Sequence, residues 1–266
     1  MTPPRATWLG SQRIALGTCG STNDEGGRLA RGGASHGTVI IADAQTAGRG
    51  REDRRWESPP GTGLYLSAIT RPSLPLAQVP PMTLAIGIGV CDAARQLGAA
   101  AELKWPNDVL VRGKKLAGVL VEAQSQGPRL DAVVIGIGMN LADDPPPAVA
   151  ATATSLAQAT ALHYENPLAL RDHVVEILLG HVQHWLDRYS AAGLAVIIDA
   201  WQARMAPGLA ARATIGGEQL VGTVAGLDGD GALLLRDRVG ALHRVRSGDV
   251  EVIRGTPPPE SSAGAC

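Results

Sequence analysis

Phenylalanine is absent from the 266 residues, and aromatic side chains make up only 3% of them. Aliphatic residues and five tryptophans must therefore fill the core. With alanine and glycine abundant, this reads as a compositional bias of the source genome rather than a functional signal. Cysteine is scarce too. Cys19, Cys91 and Cys266 form no C-x-x-C pair, which argues against a zinc or disulfide framework and fits a reducing cytosol. Met1-Thr2-Pro3-Pro4-Arg5 lacks the apolar run of a signal peptide. No stretch approaches the length of a membrane span, since the longest apolar helical candidate, Met82 to Val90, is interrupted by glycine. A soluble, cytoplasmic protein without membrane contact is expected. The net charge of −1 argues against the broad basic surface of a nucleic-acid binder. There is no G-x-x-x-x-G-K-[ST], no G-x-S-x-G, no kinase signature set, no H-E-x-x-H and no internal repeat. What is left suits electrostatic handling of an anion better than covalent catalysis.

The hydrophobic content of 45% is enough for a real core, in one large domain or a large and a small one. Ile14 and Leu16 suggest a short strand before the turn Gly17 to Asn23. Ser21, Thr22 or Asn23 can cap a helix running to Ala30. Thr38–Asp43, Gly63–Thr70, Leu103–Trp105 and Ala132–Ile137 read as strands. Val109–Val111 and Leu116–Val121 flank Arg112-Gly113-Lys114 as a hairpin. Pro80-Pro81 opens a helix that Gly98 ends. Asn166-Pro167 starts a long helix with an apolar face of Val174, Leu178, Val182, Trp185 and Tyr189, broken by Gly193. Leu194 to Met205 makes a further helix. After Pro207-Gly208, about five short strands with tight turns, Gly216-Gly217 among them, suggest a small β-barrel. The expected division is 1–206, 207–254 and a disordered tail, 255–266, with a proline-rich loop at Asp143 to Pro147.

One stretch concentrates binding chemistry. Residues Gly48 to Trp56 hold four arginines and two glycines and end in a tryptophan, directly after an apolar strand. Arginine matches carboxylate and phosphate oxygens, glycine lets backbone approach a ligand, and tryptophan offers an aromatic face. A loop folding over a ligand with a phosphate and a ring is one reading, and a solvated charged loop the other. Polar residues gather at other strand ends: Ser21, Thr22, Asn23, Gln45, Lys104, Asn107, Asp108, Lys115 and Asn140. Trp105 reads as core. His173, His181 and His184 read as a solvated helix face, and Cys19 and Cys91 as small core residues.

Four of these motifs, Ser21-Thr22-Asn23, Gln45 to Arg51 with Arg54 and Trp56, Lys104 to Asp108, and Lys115 to Gly118, stand in the order and spacing of the biotin protein ligases, which the chain resembles. The resemblance implies an α+β fold: a class II aminoacyl-tRNA synthetase/biotin synthetase-like catalytic domain, a mixed sheet flanked by helices, with a small C-terminal SH3-like β-barrel. It implies an ATP-dependent ligase that forms biotinyl-5′-AMP and transfers biotin to a lysine of a biotin carboxyl carrier protein. It places Ser21, Thr22, Asn23, Gln45, Arg49, Gly50, Arg51, Lys115 and Gly118 at biotin. Arg51, Arg54, Trp56, Lys104, Asn107, Asp108 and Asn140 fall at the nucleotide, with Lys115 and Arg51 catalytic. Mg²⁺ is implied, with Asp108 as its candidate ligand. Asp53 stands where the arginine loop of the family usually has glycine. About twenty residues precede Ser21, so no DNA-binding domain is expected, and monomer and homodimer both remain open. A lipoate or octanoate ligase or transferase of the same superfamily, and a non-catalytic biotin- or nucleotide-sensing module, are the alternatives.

Overall fold

The computed structural model describes residues 6–52, 54–141, 145, 149–160, 167–205, 209–215, 218–246, 248 and 250–252. Asp53, Asp143, Asp144, Pro146 and Pro147, the Asn166 cap, Pro207-Gly208, Gly216-Gly217, Cys266 and the tail from 255 lie outside them.

Seven strands form a mixed sheet in the order β1-β2-β3-β7-β6-β5-β4. Strand β1 (Gln12–Cys19) leads through helix α1 (Thr22–Arg31) to β2 (Thr38–Gln45), which it pairs in parallel. Every other pairing in this sheet is antiparallel: β3 (Gly63–Thr70), β4 (Ala101–Lys104), β5 (Asp108–Val111), β6 (Lys114–Gln126) and β7 (Arg129–Asn140). The β5–β6 turn has φ of 51° at Arg112 and 72° at Gly113, the left-handed pair that a two-residue hairpin turn requires. Edge strand β1 has one neighbour, so Cys19 at its end is half-buried rather than a core residue.

Alternation along the strands sends two sets of side chains to two faces. Helix α1 covers part of one face, where a Cβ on Gly26 would stand 2.8 Å from Val134 and 3.8 Å from Ile40. Helices α2 (Val79–Gln96) and α4 (Pro167–Ala192), with the single turn α3 (Leu156–Ala159) before α4, build the large core on the other. The five α4 positions on the expected apolar face are all buried. His173 and His184 are exposed, but His181 is half-buried against α2, where its ring meets Gln96 Oε1 at 2.7 Å and burial lowers its pKa. Cys91 is fully enclosed, and burial pushes its thiol up to about 12.

The absence of a helix of membrane-spanning length needs correction. The segment Leu76–Gln96 is long and apolar enough by length and composition, because its glycines do not break it. Gly89 is where α4 crosses: a Cβ there would lie 2.7 Å from Val182 Cα. Most of the helix is interior. Asp92 on α2 receives Arg204 at 2.6 Å and the Trp185 indole N–H at 2.9 Å, tying α2 and α4 to the segment after α5 (Ala195–Gln202).

The remaining strands, β8 (Ala210–Ile215), β9 (Glu218–Leu227), β10 (Leu233–Arg236), β11 (Leu242–Val245) and β12 (Val250–Val252), form an antiparallel sheet in the order β11-β10-β9-β8-β12. Trp105, buried as expected, joins the two sheets through its indole N–H on Gly231 O at 3.0 Å, and Gln202 Oε1 accepts from Leu227 N at 2.9 Å.

Backbone at the α2–α4 crossing cannot retreat as a side chain does. Gly89→Ala is expected to lose about 1–3 kcal/mol through overpacking, despite alanine's better helix propensity. Urea unfolding of both proteins checks this, and an unchanged midpoint would show that the helices can separate freely.

Candidate active site

The α1 side of the sheet is only partly covered, and the remainder is a cleft floored by glycine. Gly118 on β6 pairs with Gly138 on β7, which pairs with Tyr65 on β3; Gly136 lies two residues along β7, on the same face. A Cβ at Gly138 would stand 2.5 Å from the Trp56 ring, and one at Gly136 would stand 2.3 Å from Asn23 Oδ1. Glycine inside a strand leaves room for close approach to the backbone, and here the room lies along a row.

A bulge aims the principal cation into this trough. Val109 pairs with Ala117 but Leu110 with Lys115, so β6 carries one extra residue between them, Leu116. Strict alternation would place Lys115 and Gly118 on opposite faces; the extra residue brings them together. Lys115 Nζ accordingly lies 3.2 Å from where a Gly118 Cβ would be. It pairs with Asp108 Oδ1 at 2.6 Å and sits 5.1 Å from the Trp56 ring centroid. Lys104 approaches the other Asp108 oxygen at 3.1 Å. Burial alone would raise the Asp108 pKa, but the charges and hydrogen bonds of Lys115 and Lys104 together outweigh it and hold the carboxyl below its ordinary value.

The opposite end of the trough is built of hydroxyls and amides. Thr22 N donates to Gln45 Oε1 at 2.8 Å, and the Thr22 hydroxyl lies 3.1 Å from the same oxygen. Gln45 Nε2 donates to Ser58 Oγ at 2.8 Å, and Ser58 Oγ donates to Trp56 O at 3.1 Å. Ser67 Oγ stands 2.6 Å from Asn23 Oδ1 and 2.8 Å from Thr22 Oγ1. Ser21 has the extended backbone of a helix N-cap, but its side chain makes no capping bond, so α1 begins without the cap the sequence suggested.

The arginine loop roofs the cleft, with its charges unevenly compensated. Arg49 places both terminal nitrogens on Glu122, each at 2.9 Å, and reaches Asp24 at 2.7 Å. Burial opposes its charge, yet these carboxylates raise its pKa. Arg55 faces Glu57 at 3.4 Å, and Arg54 faces Glu52 at 3.5 Å. Arg51 lines the cleft and makes no side-chain hydrogen bond or ion pair among the described residues. Glu52, at the crown, has φ of 53°.

Of the residues expected at the site, Ser21, Thr22, Asn23, Gln45, Arg49, Gly50, Arg51, Arg54, Trp56, Asn107, Asp108, Lys115 and Gly118 all line this one cleft. Lys104 and Asn140 do not. Lys104 reaches the cleft only through Asp108. Asn140 Nδ2 donates to Thr154 O at 2.9 Å and Lys115 O at 3.4 Å, fixing the backbone behind Lys115. Asn107 ties its own loop to Val119 O at 2.8 Å. Ser58, Glu122, Gly136 and Gly138 were missed; two glycines spaced by two within an apolar strand were the available signal for a floor. Asp108 does not fit a metal site: two ammonium groups compensate it, and no group of three metal-binding side chains occurs among the described residues.

The lowered pKa of Asp108 has a definite sign. Its stabilising contribution is complete above the unfolded value of about 3.9 and disappears as pH falls through the lower folded value. The stability gap between the wild type and Asp108→Asn is therefore expected to be full at neutral pH and to shrink below about pH 4. Urea unfolding of both proteins across that range tests it, and a gap independent of pH would contradict the assigned pairing.

A family model for the biotin/lipoate A/B protein ligase family matches residues 22–140, from the start of α1 to the end of β7 and thus all of the cleft but Ser21. A model for the biotin protein ligase C terminal domain matches residues 212–252, within the five-stranded sheet. The chain is 34% identical over 249 residues to the bifunctional ligase/repressor BirA of Bacillus subtilis (strain 168), covering 92% of this chain and 75% of that protein. It is 34% identical over 227 residues to the biotin–[acetyl-CoA-carboxylase] ligase of Paracoccus denitrificans, covering 83% and 92% respectively. The solved structure of biotin protein ligase from Aquifex aeolicus in complex with biotin and ATP is similar at a TM-score of 0.77 and 28% identity, over 92% of this chain and 100% of that one. With this identity over most of both chains and family models matching both sheets, the chain belongs to the biotin protein ligases.

Proposed function

We propose that the cleft joins biotin to ATP as biotinyl-5′-AMP and then passes the biotinyl group to a lysine of a biotin carboxyl carrier domain. In the first step a biotin carboxylate oxygen forms a bond to the α-phosphorus and pyrophosphate leaves. In the second the lysine amine attacks the acyl carbon, loses a proton, and AMP leaves. The observation that carries this reading is the polarity of the trough. Hydroxyl and amide groups of Thr22, Asn23 and Gln45 gather at the Gly136 end, the cation Lys115 stands at the Gly118 end, and Arg51 also lines the cleft above this floor of glycine.

Biotin has matching polarity. Its ureido group has one acceptor and two donors, and leaving these buried without partners costs about 1–3 kcal/mol each. Thr22 and Gln45 have the hydrogen-bonding groups to satisfy it. The ring and chain need an apolar slot, which the glycine row and Leu120 provide. Two anions must meet at the far end, where Lys115 and Arg51 reduce their repulsion and stabilise charge developing on the α-phosphate. Arg51, whose side chain has no partner among the described residues, is available to an anion. The cleft residues do not hold Mg²⁺; an ion accompanying the nucleotide would add charge neutralisation there, while Asp108 orients Lys115. Closing the arginine loop keeps water from the mixed anhydride.

Pyrophosphate release should depend on biotin, and labelled biotin should pass to a carrier domain. Transfer of lipoate alone would overturn the substrate assignment, and ligand binding without pyrophosphate would overturn the catalytic one. Lys115→Ala is expected to slow single-turnover adenylation roughly 100-fold, the scale of losing one charge-stabilising group. An unchanged rate would remove Lys115 from the chemistry. Arg51→Ala is expected to loosen retention of the adenylate more than binding of free biotin. Equal losses would assign Arg51 to biotin binding alone.

A further inference from the structure

Glu122 has no counterpart among the groups assigned above, yet two parts of the site converge on it. It lies on β6 with its side chain 28% exposed. Both its oxygens take the guanidinium of Arg49 in a bidentate pair at 2.9 Å, and Oε2 also accepts Asn23 Nδ2 at 2.7 Å. An ionised carboxylate only accepts, so Asn23 must turn its NH₂ toward Glu122 and its carbonyl toward Ser67. The single Ser67 hydrogen then goes to Asn23 Oδ1. The Thr22 hydroxyl in turn donates to Ser67 Oγ, and Thr22 N donates to Gln45 Oε1. Gln45 continues through Ser58 to the backbone of Trp56. One hydrogen-bonded chain thus runs from Arg49, at the root of the arginine loop, under the polar end of the trough to Trp56, where the loop returns to the sheet.

We propose that Glu122 is a positioning residue that clamps the root of the arginine loop through Arg49 and fixes the donor direction of the polar end through Asn23. Arg49 is then an anchor, its guanidinium spent on carboxylates of the chain itself, while Arg51 two residues later is presented to the ligand. A bidentate charge-assisted pair is directional as well as strong, which suits a hinge that must return to one closed geometry. Asp24 adds one further contact to the same guanidinium at 2.7 Å. Neither a lone glutamate on a surface strand nor a generic loop arginine would be held at both ends in this way.

This inference rests on the cleft being the biotin-adenylating site, and its test keeps the two separable. Trypsin cleaves after arginine, and the loop offers Arg51, Arg54 and Arg55. In the ligand-free, full-length protein, Glu122→Gln is expected to raise cleavage in the loop about tenfold, the scale for losing a partly exposed charge-assisted pair. Thermal midpoint is expected to be nearly unchanged. With biotin and ATP, the adenylate should be released about tenfold faster, while single-turnover adenylation falls less than threefold, as befits a group acting through loop position. Glu122→Asp should recover part of the retention, and Asp24→Asn should have a smaller effect than Glu122→Gln. Wild-type cleavage in a folded Glu122→Gln protein would overturn the clamp, as would equal loss of adenylation and retention alongside a large fall in thermal midpoint. Should Glu122→Gln fail to fold, Arg49→Lys keeps the charge, removes the fork, and is judged by the same measurements. If the wild type releases no pyrophosphate with biotin, the functional reading fails while the trypsin comparison still decides the clamp.

Discussion

A trough floored by glycine crosses the neighbouring strands β6 and β7, and the rest of the site is arranged around the space it leaves. Replacing Gly138 by any other residue would drive a Cβ to 2.5 Å from Trp56, and replacing Gly136 would place one at 2.3 Å from Asn23. The floor must therefore be bare backbone, which gives up side-chain packing and lowers strand propensity at these positions. The opposite face compensates. Val133, Ile135, Ile137 and Met139 alternate with these glycines along β7 and bury themselves against the helical layer. One strand thus anchors the core with one face and opens a binding surface with the other.

Charge in the cleft divides into groups already satisfied and groups left to act. Arg49 is held by Glu122 and Asp24, and Asp108 by Lys115 and Lys104. Exposed ion pairs contribute little to stability, so the loop's pairs matter more for geometry than for folding free energy. The Asp108 cluster is different, being largely enclosed. Removing the carboxylate would leave two ammonium groups with no local anion, which is costlier than losing a surface pair. Against this compensated background, Arg51 has no carboxylate partner among the described residues, and Lys115 shares its carboxylate with Lys104.

The fold was legible where local signals agreed. Gly63–Thr70 was read at its observed bounds because apolar residues run between a proline-glycine turn and a proline. The α4 face, the end of α2 before Gly98 and the five strands near the C-terminus follow from periodicity and glycine placement. Helix α2 is expected, but its apolar run reads as too interrupted by glycine for membrane-spanning length, whereas Gly89 serves a close crossing visible only once α4 is in place. The site motifs were legible because they lie in short contiguous runs at strand ends. Their partners were not: Ser67 is 44 residues from Asn23, and Glu122 is 99 residues from it. Each of these sits inside an apolar strand with nothing local to mark it. Lys115 illustrates the boundary, since its residue type pointed to chemistry but its aim depends on the bulge at Leu116.

The position of Trp56 links the state of the loop to the state of the trough. Its indole rests over Gly118 and Gly138, near Lys115, and its Nε1 is buried with no hydrogen-bond partner among the described residues. An unpartnered buried N–H costs about 1–3 kcal/mol, so this resting place is weaker than its close packing suggests. Any ligand that extends the length of the trough must displace the ring or stack on it. The Trp56 backbone is bonded to Gly48 at 2.9 Å and to Ser58 at 3.1 Å, so the ring can swing only about that anchored point or take the loop with it. Filling the trough and setting the loop are consequently one event, coupled through the row of glycines that lets the indole lie there at all.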